Sequence, residues 1–389
     1  MKKFMCLFLV CTFIFVLGGC GNEVPEYAED ISIITLARPK NMLGLEDIIY
    51  KFEAEHTDIQ VKIVDMPEEE EERHGTCVSA LSGGDSSVDI YMISEGWIDE
   101  FADREYLLPV DQYFLMNKEI YMKQAIDMFK SRRDRLYALP FSFNMDCLYY
   151  RKDIIKEIPA TWEDVFRLIK ANQSETIYGI DIPNEVGSEM IYTIKEMETA
   201  FDGDLERVLS TYKNILDFNY QKKNIQNPFI YTFKDGKALF LYADSSFWSN
   251  LNDDASAVKG KVGVVPVPEA TNGGKKSGLL GGYGLGINRR SKHVPQAVAF
   301  LQFVDQYANR KVVSQIYGYF PVMQALYEDE SVLIFNPHFR NFPGLIDNLK
   351  LREEMGGYVY EMSHTMQVLD QFFNDKESLQ DTLQQLQKF

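Results

Sequence analysis

The stretch that most constrains the fold of this chain runs from Arg135 to Asp153 and reads RLYALPFSFNMDCLYYRKD. An extended run, Leu136 to Leu139, meets Pro140, which fixes its own φ and keeps the preceding residue out of the helical region. A short polar break follows, and a second apolar run, Cys147 to Tyr150, ends in charged residues. The pattern predicts two β-strands joined by a short connection in the middle of the chain.

The length and charge of the chain limit both its domain count and its partners. Its 389 residues exceed one typical hydrophobic core and fit two domains of ordinary size. Hydrophobic residues make up 46% of the chain, a globular share that argues against disorder. The formal charge is -18, with 58 acidic residues against 40 basic ones. This excess argues against nucleic acid and against binding to anionic lipid, because both partners need clustered Lys and Arg.

The first twenty residues have the pattern of a secretory signal. Two lysines precede an apolar segment, 4–16, that is shorter than the roughly 20 residues needed to span a membrane. The small residues that end in Cys20 resemble the cleavage box of bacterial lipoproteins, although a plain cleaved signal is the alternative. The resemblance implies a signal peptide at 1–19 and a lipid such as palmitate on Cys20, where several acyl chains hold better than one. Residues 20–30 are acidic and are predicted to form a tether.

The remaining cysteines and histidines give no sign of a metal or a cofactor. Cys77 and Cys147 lie in apolar segments, and they could form one disulfide or pack as two small core side chains. The histidines are too scattered for a zinc site; they are His56, His74, His293, His338 and His364. The sequence contains no Gly-x-Ser-x-Gly, His-Glu-x-x-His or Walker loop. We therefore predict no cofactor, no metal and no enzymatic activity.

The first hundred residues after the tether alternate between strand and helix patterns. Ile31 to Ala37 and Ile59 to Val64 are predicted strands. Between them, Leu45, Ile48, Ile49 and Phe52 have the i, i+3, i+4, i+7 spacing of an amphipathic helix. Strand, helix and strand in this order are the unit of a largely parallel sheet, so the pattern predicts an α/β fold.

Several segments, in this order, resemble those of the bacterial extracellular solute-binding proteins of ABC transporters, family 1, the carbohydrate type. They are Tyr50–Val64, Ala80–Asp111, Arg135–Asp153, Phe233–Leu251, Leu279–Val304 and Tyr317–Pro321. The resemblance implies a two-lobed periplasmic-binding-protein type II fold, in which each lobe is a mixed, mostly parallel sheet flanked by helices. It places lobe 1 at 31–139 plus 262–307, and lobe 2 at 140–261 plus 308–389.

The resemblance also implies a function. The protein would be a monomeric, lipid-anchored lipoprotein on the extracytoplasmic face of the cell membrane, serving sugar transport. It would bind a carbohydrate, with oligosaccharides as the leading class, by hinge closure around the interlobe cleft and would present it to the permease subunits of an importer. One alternative is a sensor subunit for a signalling kinase, which would use the same closure. Another is a secreted carbohydrate-active enzyme, which would need two carboxylates about 5–9.5 Å apart.

Candidate ligand-binding residues lie in loops at predicted strand ends. They are Arg38, Glu95, Trp97, Asn144, Trp248, Tyr283 and Tyr319. Each also has a structural interpretation: Arg38 as a surface charge, Glu95 as a helix cap, Asn144 as a turn residue, and the aromatic residues as packing. In Phe233–Leu251, Ser246 stands where the family usually has Trp. If the strand continues, Trp248 lies two residues later and points to the same face of the strand as the usual Trp. If a helix begins at Ser245 instead, it does not.

Overall fold

The computed structural model of this chain describes residues 31–42, 44–114, 119–218, 229–271, 278–346, 350–351 and 358–387. The predicted signal peptide at 1–19, the tether at 20–30 and the lipidated Cys20 lie outside these residues. Within the described ranges, none of the helices combines the length and the apolarity needed to cross a membrane.

The described strands form two sheets. In chain order they are β1 Ser32–Pro39, β2 Ile59–Met66, β3 Ile90–Ser94, β4 Ala138–Asn144, β5 Asp146–Arg151, β6 Tyr178–Asp181, β7 Ala238–Asp244, β8 Val262–Pro266, β9 Leu279–Ile287 and β10 Lys350–Leu351. Six of them form a sheet in the order β10-β9-β3-β1-β2, with β4 also paired to β9. The other four form a sheet in the order β6-β7-β5-β8.

Helices cover both sheets. In chain order they are α1 Glu46–Glu55, α2 Glu70–Ser82, α3 Ile98–Asp103, α4 Asp111–Phe114, α5 Lys123–Asp127, α6 Trp162–Asn172, α7 Ser188–Ala200, α8 Leu205–Leu216, α9 Phe229–Lys234, α10 Phe247–Leu251, α11 Val294–Val304, α12 Tyr307–Tyr317, α13 Glu330–Phe335, α14 Pro343–Ile346, α15 Tyr358–Phe373 and α16 Leu379–Leu386. Short 3₁₀ helices lie at Glu95–Trp97, Gln324–Tyr327 and Pro337–Asn341.

The six-stranded sheet begins with the predicted strand, helix and strand. β1 pairs in parallel with β2 and β3, while β9 runs antiparallel to both β3 and β4. The helix between β1 and β2 buries Ile48, Ile49 and Phe52, as the spacing of its apolar residues predicts. Phe52 meets the rings of Phe300 and Phe303 on α11 edge-on, with centroids 5.1 and 5.4 Å apart. The predicted α/β class with mixed sheets is therefore confirmed.

The four-stranded sheet is organised around β5. Its residues Cys147, Leu148 and Tyr149 are fully buried. β5 is a central strand because it pairs antiparallel with β7 on one side and with β8 on the other. Among the described strands of this sheet, only β6 and β7 pair in parallel. The expectation of mostly parallel pairing therefore holds for the six-stranded sheet and not for this one.

The predicted lobe boundaries differ from the sheets at three places, one of which is β10, predicted for lobe 2 but paired with β9 in the six-stranded sheet. Residues 140–144, predicted for lobe 2, belong to β4 and pair with β9 in the six-stranded sheet. Pro140 is tolerated there because the register shifts between Pro140 and Ser142, and a bulge removes the need for its missing N–H. β8, predicted for lobe 1, fills the second edge of β5. The rest of the division into lobes stays a prediction.

Glycine is required in β9 where this strand crosses β4. A Cβ at Gly282 would lie 2.5 Å from the backbone oxygen of Ser142, a contact that only a backbone shift could relieve. We expect Gly282→Ala to lower the free energy of unfolding by about 1–3 kcal/mol, as overpacking does, in urea denaturation. The matched change Gly75→Ala, in α2 with nothing within 4 Å of its added Cβ, should instead raise stability by about 0.5–1 kcal/mol. Equal effects of the two changes would contradict this steric explanation.

Candidate functional site

A cavity of about 620 Å³ has walls from both sheets. The six-stranded side contributes the segments after β1 and before α2, together with residues of β4 and β9. The four-stranded side contributes β5, β7 and α7. The volume lies within the roughly 300–1,000 Å³ that small-molecule sites occupy. Because β4 passes into β5 at Met145, the crossing between the sheets forms part of this cavity.

The lining combines aromatic rings with acidic and amide side chains. Its aromatic residues are Tyr192, Tyr242, Phe247, Tyr283 and Tyr319. Its carboxylates belong to Glu68, Glu69, Glu70, Asp146, Glu185, Glu189 and Asp244. Asn41 and Asn144 supply amides, and Arg73 is the basic member among the described lining residues. Such a wall can offer ring faces and many hydrogen-bond acceptors to a ligand.

Three predicted site residues line this cavity. Asn144 is the last residue of β4, and its Oδ1 is buried without a hydrogen-bond partner among the described residues. Tyr283 lies in β9, opposite Ser142 of β4. Tyr319 stacks on Tyr317 with ring centroids 6.4 Å apart. The structure therefore brings Asn144, Tyr283 and Tyr319 together, and their contact with a ligand stays a prediction.

Arg73 is a residue of the wall that the sequence did not single out. It is 1% exposed, and it donates to the backbone oxygens of Pro67 and Glu68 at 3.1 and 2.7 Å. It also donates to the hydroxyl of Tyr283 at 3.3 Å, while its guanidinium lies 5.6 Å from the ring centroids of Trp97 and Tyr283. Arg73 thus fixes the acidic loop against Tyr283. Five consecutive acids at 68–72 indicate a solvated helix start, and nothing in this pattern predicts the role of Arg73.

Glu95 and Trp97 lie behind the wall and do not line the cavity. Glu95 is 7% exposed, and its carboxylate accepts from the backbone N–H of Gly282 at 2.8 Å. Trp97 is 2% exposed and packs between His74 and Phe101, with centroids 5.1 and 5.7 Å away. Their positions therefore support a packing role: Glu95 holds β9 beside the cavity, and Trp97 belongs to the core.

Arg38 is neither a surface charge nor part of the lining. Its side chain is buried, donates to the backbone oxygen of Met42 at 2.7 Å and forms an ion pair with Glu46 at 2.5 Å. Because Met42 lines the cavity, Arg38 acts on the wall through the loop that follows β1. The prediction of direct ligand contact is not supported by this placement.

Trp248 is turned away from the cavity because the strand does not continue to it. β7 ends at Asp244, and α10 begins at Phe247. The argument that Trp248 keeps the face of the usual Trp therefore fails. Its indole N–H donates to the backbone oxygen of Phe335 at 2.8 Å, and its ring packs on His338, whose pKa burial lowers to about 3. Ser246 and Phe247 line the cavity instead.

Neither cysteine forms a disulfide. Cys77 and Cys147 are both free and buried, so the interpretation as core side chains is confirmed. Burial raises the pKa of the Cys77 thiol to about 12, which keeps it protonated and unreactive. Within the described part of the chain, no group of His, Cys, Asp and Glu is arranged to hold a metal ion.

Two sheets of mixed pairing, helices on their faces and a polar, aromatic-lined cavity between them define a two-lobed α/β binding protein. Residues 38–306 match the family model of the bacterial extracellular solute-binding proteins, and the chain belongs to this family. It is 24% identical over 337 residues to a probable ABC transporter-binding protein of Deinococcus radiodurans, and the match covers 77% of this chain and 77% of the relative.

Two further comparisons agree with this assignment. The arabinooligosaccharide-binding protein of Bacillus subtilis is 20% identical over 385 residues, covering 90% of this chain and 88% of the relative. Among solved structures, the maltose-bound MalE3 of T. maritima is similar, with a TM-score of 0.82 and 23% identity over 92% of this chain and 98% of that one. The structural similarity establishes the fold.

Proposed function

We propose that this protein is the solute-binding component of an ABC importer and that it takes a carbohydrate, with oligosaccharides as the leading class, in the cavity between the sheets. The observation that carries the proposal is the lining itself, in which tyrosines from both sides surround amide and carboxylate groups. Sugars have weakly apolar faces and rims of hydroxyls, which such rings and acceptors suit. The names of the relatives, an arabinooligosaccharide-binding and a maltose-bound protein, support the same class.

Binding would act through closure of the two lobes. A ligand that contacts both walls gains all of its contacts only in the closed state, so it shifts the equilibrium toward closure by its differential affinity. A micromolar ligand supplies about 8 kcal/mol in total, part of which orders the closed state. No bond of the ligand is made or broken, and the closed protein is what the permease recognises.

The proposal includes membrane anchoring through a lipid on Cys20 after removal of residues 1–19. It rests on the sequence of the segment that ends in Cys20. Mass spectrometry of the mature N-terminus should find diacylglycerol and acyl mass on Cys20, and Cys20→Ser should release the protein from membranes. A mature chain that begins elsewhere, without lipid, would contradict the anchor and leave the binding proposal intact.

The binding proposal is tested by calorimetry with arabino- and malto-oligosaccharides, followed by small-angle scattering with each ligand that binds. We expect a smaller radius of gyration in the complex and unaltered sugar by chromatography after long incubation. Binding of only a peptide, a polyamine or an anion would exclude a carbohydrate ligand. Cleaved sugar would favour the enzyme alternative.

Tyr283 and Tyr319 should contribute to affinity if they are platforms for sugar rings. Loss of one stacked or edge contact with a buried ring is worth about 0.5–1.5 kcal/mol beyond area burial. Because the lost burial of the ring adds to this contribution, we expect Tyr283→Ala and Tyr319→Ala each to weaken binding by about 10-fold or more in calorimetry. Tyr50→Ala is the control because Tyr50 is 78% exposed and lies outside the cavity; it should bind like the wild type. Unchanged affinity in both cavity variants would assign these tyrosines to packing alone.

A further inference from the structure

One face of α7 continues from the cavity wall into the interior of the protein. Glu189, Tyr192, Thr193 and Glu196 have the i, i+3, i+4, i+7 spacing that places side chains on one side of a helix. The first three line the cavity. Glu196 lies one turn further along the helix and is only 1% exposed. A buried carboxylate needs hydrogen-bond donors to offset its desolvation, so the groups that donate to Glu196 indicate its role.

The carboxylate of Glu196 connects a residue of the cavity to the other sheet. Its Oε2 accepts a hydrogen bond from the hydroxyl of Tyr242, which lies in β7 and lines the cavity. Its Oε1 accepts from the backbone N–H of Leu279 at 2.9 Å. Leu279 is the first residue of β9, which belongs to the six-stranded sheet and carries Tyr283. One buried side chain therefore binds both the four-stranded wall and the beginning of a strand of the six-stranded wall.

The bond to Glu196 also helps to fix the ring of Tyr242. This ring is buried and stacks on that of Trp162, with centroids 6.2 Å apart and an interplanar angle of 25°. Burial, and after it the charge of Glu196, raises the pKa of the Tyr242 hydroxyl well above its ordinary value. The hydroxyl therefore stays protonated and donates to the carboxylate. Stacking on Trp162 limits the tilt of the ring, and the bond to Glu196 fixes where its hydroxyl end lies.

We infer that Glu196 is a positioning residue of the binding site, which holds Tyr242 in place for the ligand and connects that wall to the start of β9. The inference rests on the proposed function and adds how the two walls stay aligned around the sugar. A sugar packed against Tyr242 restrains β9 through Glu196. A sugar held at Tyr283 on β9 orders Tyr242 in turn, because coupling between two contacts is reciprocal.

Three variants test this role in calorimetry with the arabino- and malto-oligosaccharides. Glu196→Leu removes both acceptors and should weaken each sugar that the wild type binds by about 10-fold or more, the scale of one lost hydrogen bond to a charged group. Tyr242→Phe removes only the hydroxyl and should weaken binding by about 3- to 10-fold. Glu196→Gln should bind within about 3-fold of the wild type, because its oxygen can accept from Leu279 while its amide nitrogen donates to Tyr242.

A control variant separates positioning from a general loss of stability. Asn288 is buried outside this cavity, and its Nδ2 donates to the backbone oxygens of Asp85 and Val88 at 2.9 and 2.8 Å. Asn288→Leu should lower the melting temperature, as Glu196→Leu does, because each change leaves buried groups without their hydrogen bonds. Only Glu196→Leu should weaken sugar binding.

Hydrogen exchange of the Leu279 amide, followed by NMR, tests the connection to β9 directly. In the wild type, a bound sugar should slow this exchange, because the ligand restrains Tyr242 and the bond from Leu279 to Glu196 opens less often. In Tyr242→Phe the slowing should be smaller, since the link between the ring and Glu196 is lost.

The outcomes separate this inference from the proposed function. Sugar binding that is unchanged in Glu196→Leu or Tyr242→Phe, or as weak in Glu196→Gln as in Glu196→Leu, would overturn the inference and leave the carbohydrate-binding function intact. Equal weakening by Asn288→Leu, or exchange of the Leu279 amide that is the same with and without sugar, would do so too. If the wild type binds none of the sugars, the proposed function and the inference both fail.

Discussion

Replacement of Arg310 by Met should lower the free energy of unfolding by about 3–5 kcal/mol, the usual cost of removing one partner of a buried ion pair. Arg310 is 2% exposed and lies 2.9 Å from the carboxylate of Asp305. It also donates to the backbone oxygen of Phe141 in β4 at 3.1 Å. The variant would leave a mostly buried carboxylate without its cation and a buried carbonyl without this donor, so the loss should be clear in urea denaturation.

Burial of the Arg310–Asp305 pair can be tested as the cause of this loss of stability. Arg340→Met breaks an ion pair with Glu330 whose side chains are 54% and 80% exposed, and it should cost less than about 1 kcal/mol. The double variant Arg310→Met with Asp305→Asn should recover part of the loss, because the uncompensated charge is removed as well. Equal losses for Arg310→Met and Arg340→Met would show that burial of the pair does not matter.

The effect of Arg310 should extend to the binding site. Arg310 lies on α12, and its bond to Phe141 holds the strand that delivers Ser142 and Asn144 to the cavity. One buried guanidinium thus connects a helix late in the chain to the crossing between the sheets.

Local patterns predicted the elements of this fold better than their pairing. The apolar stripe of α1 is buried as its spacing predicts, because a helix face is defined by residues that are close in sequence. The lobe boundary predicted at Pro140 does not coincide with the edge of the sheet, because the partner of that residue, Gly284, lies far along the chain. The sequence of a single strand does not show which sheet the strand joins. The bulge that accommodates Pro140 exists only once β4 is paired with β9.

The residues predicted at strand ends line the cavity where the strand itself fixes the direction of the side chain, and their contact with a ligand stays a prediction. Asn144 and Tyr283 lie within β4 and β9 and face the cavity. Glu95 does not line the cavity, because its carboxylate is bound to the backbone of Gly282 in a distant strand. Trp248 does not line it either, because it lies in a helix that turns it away. Asp146 and Asp244 were missed for a related reason. Each is one acid among 58 in the sequence, and only the register of β5 with β7 shows that they face each other.

Asp181 should make the stability of the protein fall as the pH rises. It is 0% exposed, and neither of its carboxylate oxygens has a hydrogen-bond partner among the described residues. Burial raises its pKa well above the ordinary value, and the nearby backbone of Phe233 offsets only part of that rise. The folded protein therefore holds a proton that the unfolded chain releases above about pH 4. From there up to the folded pKa, this group costs about 1.4 kcal/mol of stability per pH unit.

Asp181→Asn isolates this contribution, because the amide has the shape of the protonated acid and does not ionise. The free energy of unfolding, measured by urea denaturation at pH 5, 6, 7 and 8, should decline with pH more steeply in the wild type than in the variant, so the advantage of Asp181→Asn grows with pH. Asp254→Asn removes the same charge from a side chain that is 98% exposed and should run parallel to the wild type. Parallel profiles for Asp181→Asn and the wild type would mean that Asp181 is ionised in the folded protein. A difference in the free energy of unfolding that does not change with pH requires the folded and unfolded states of the wild type to bind equal numbers of protons. The pKa of Asp181 would then be the same in both states, so a donor would have to stabilise its carboxylate in the folded protein.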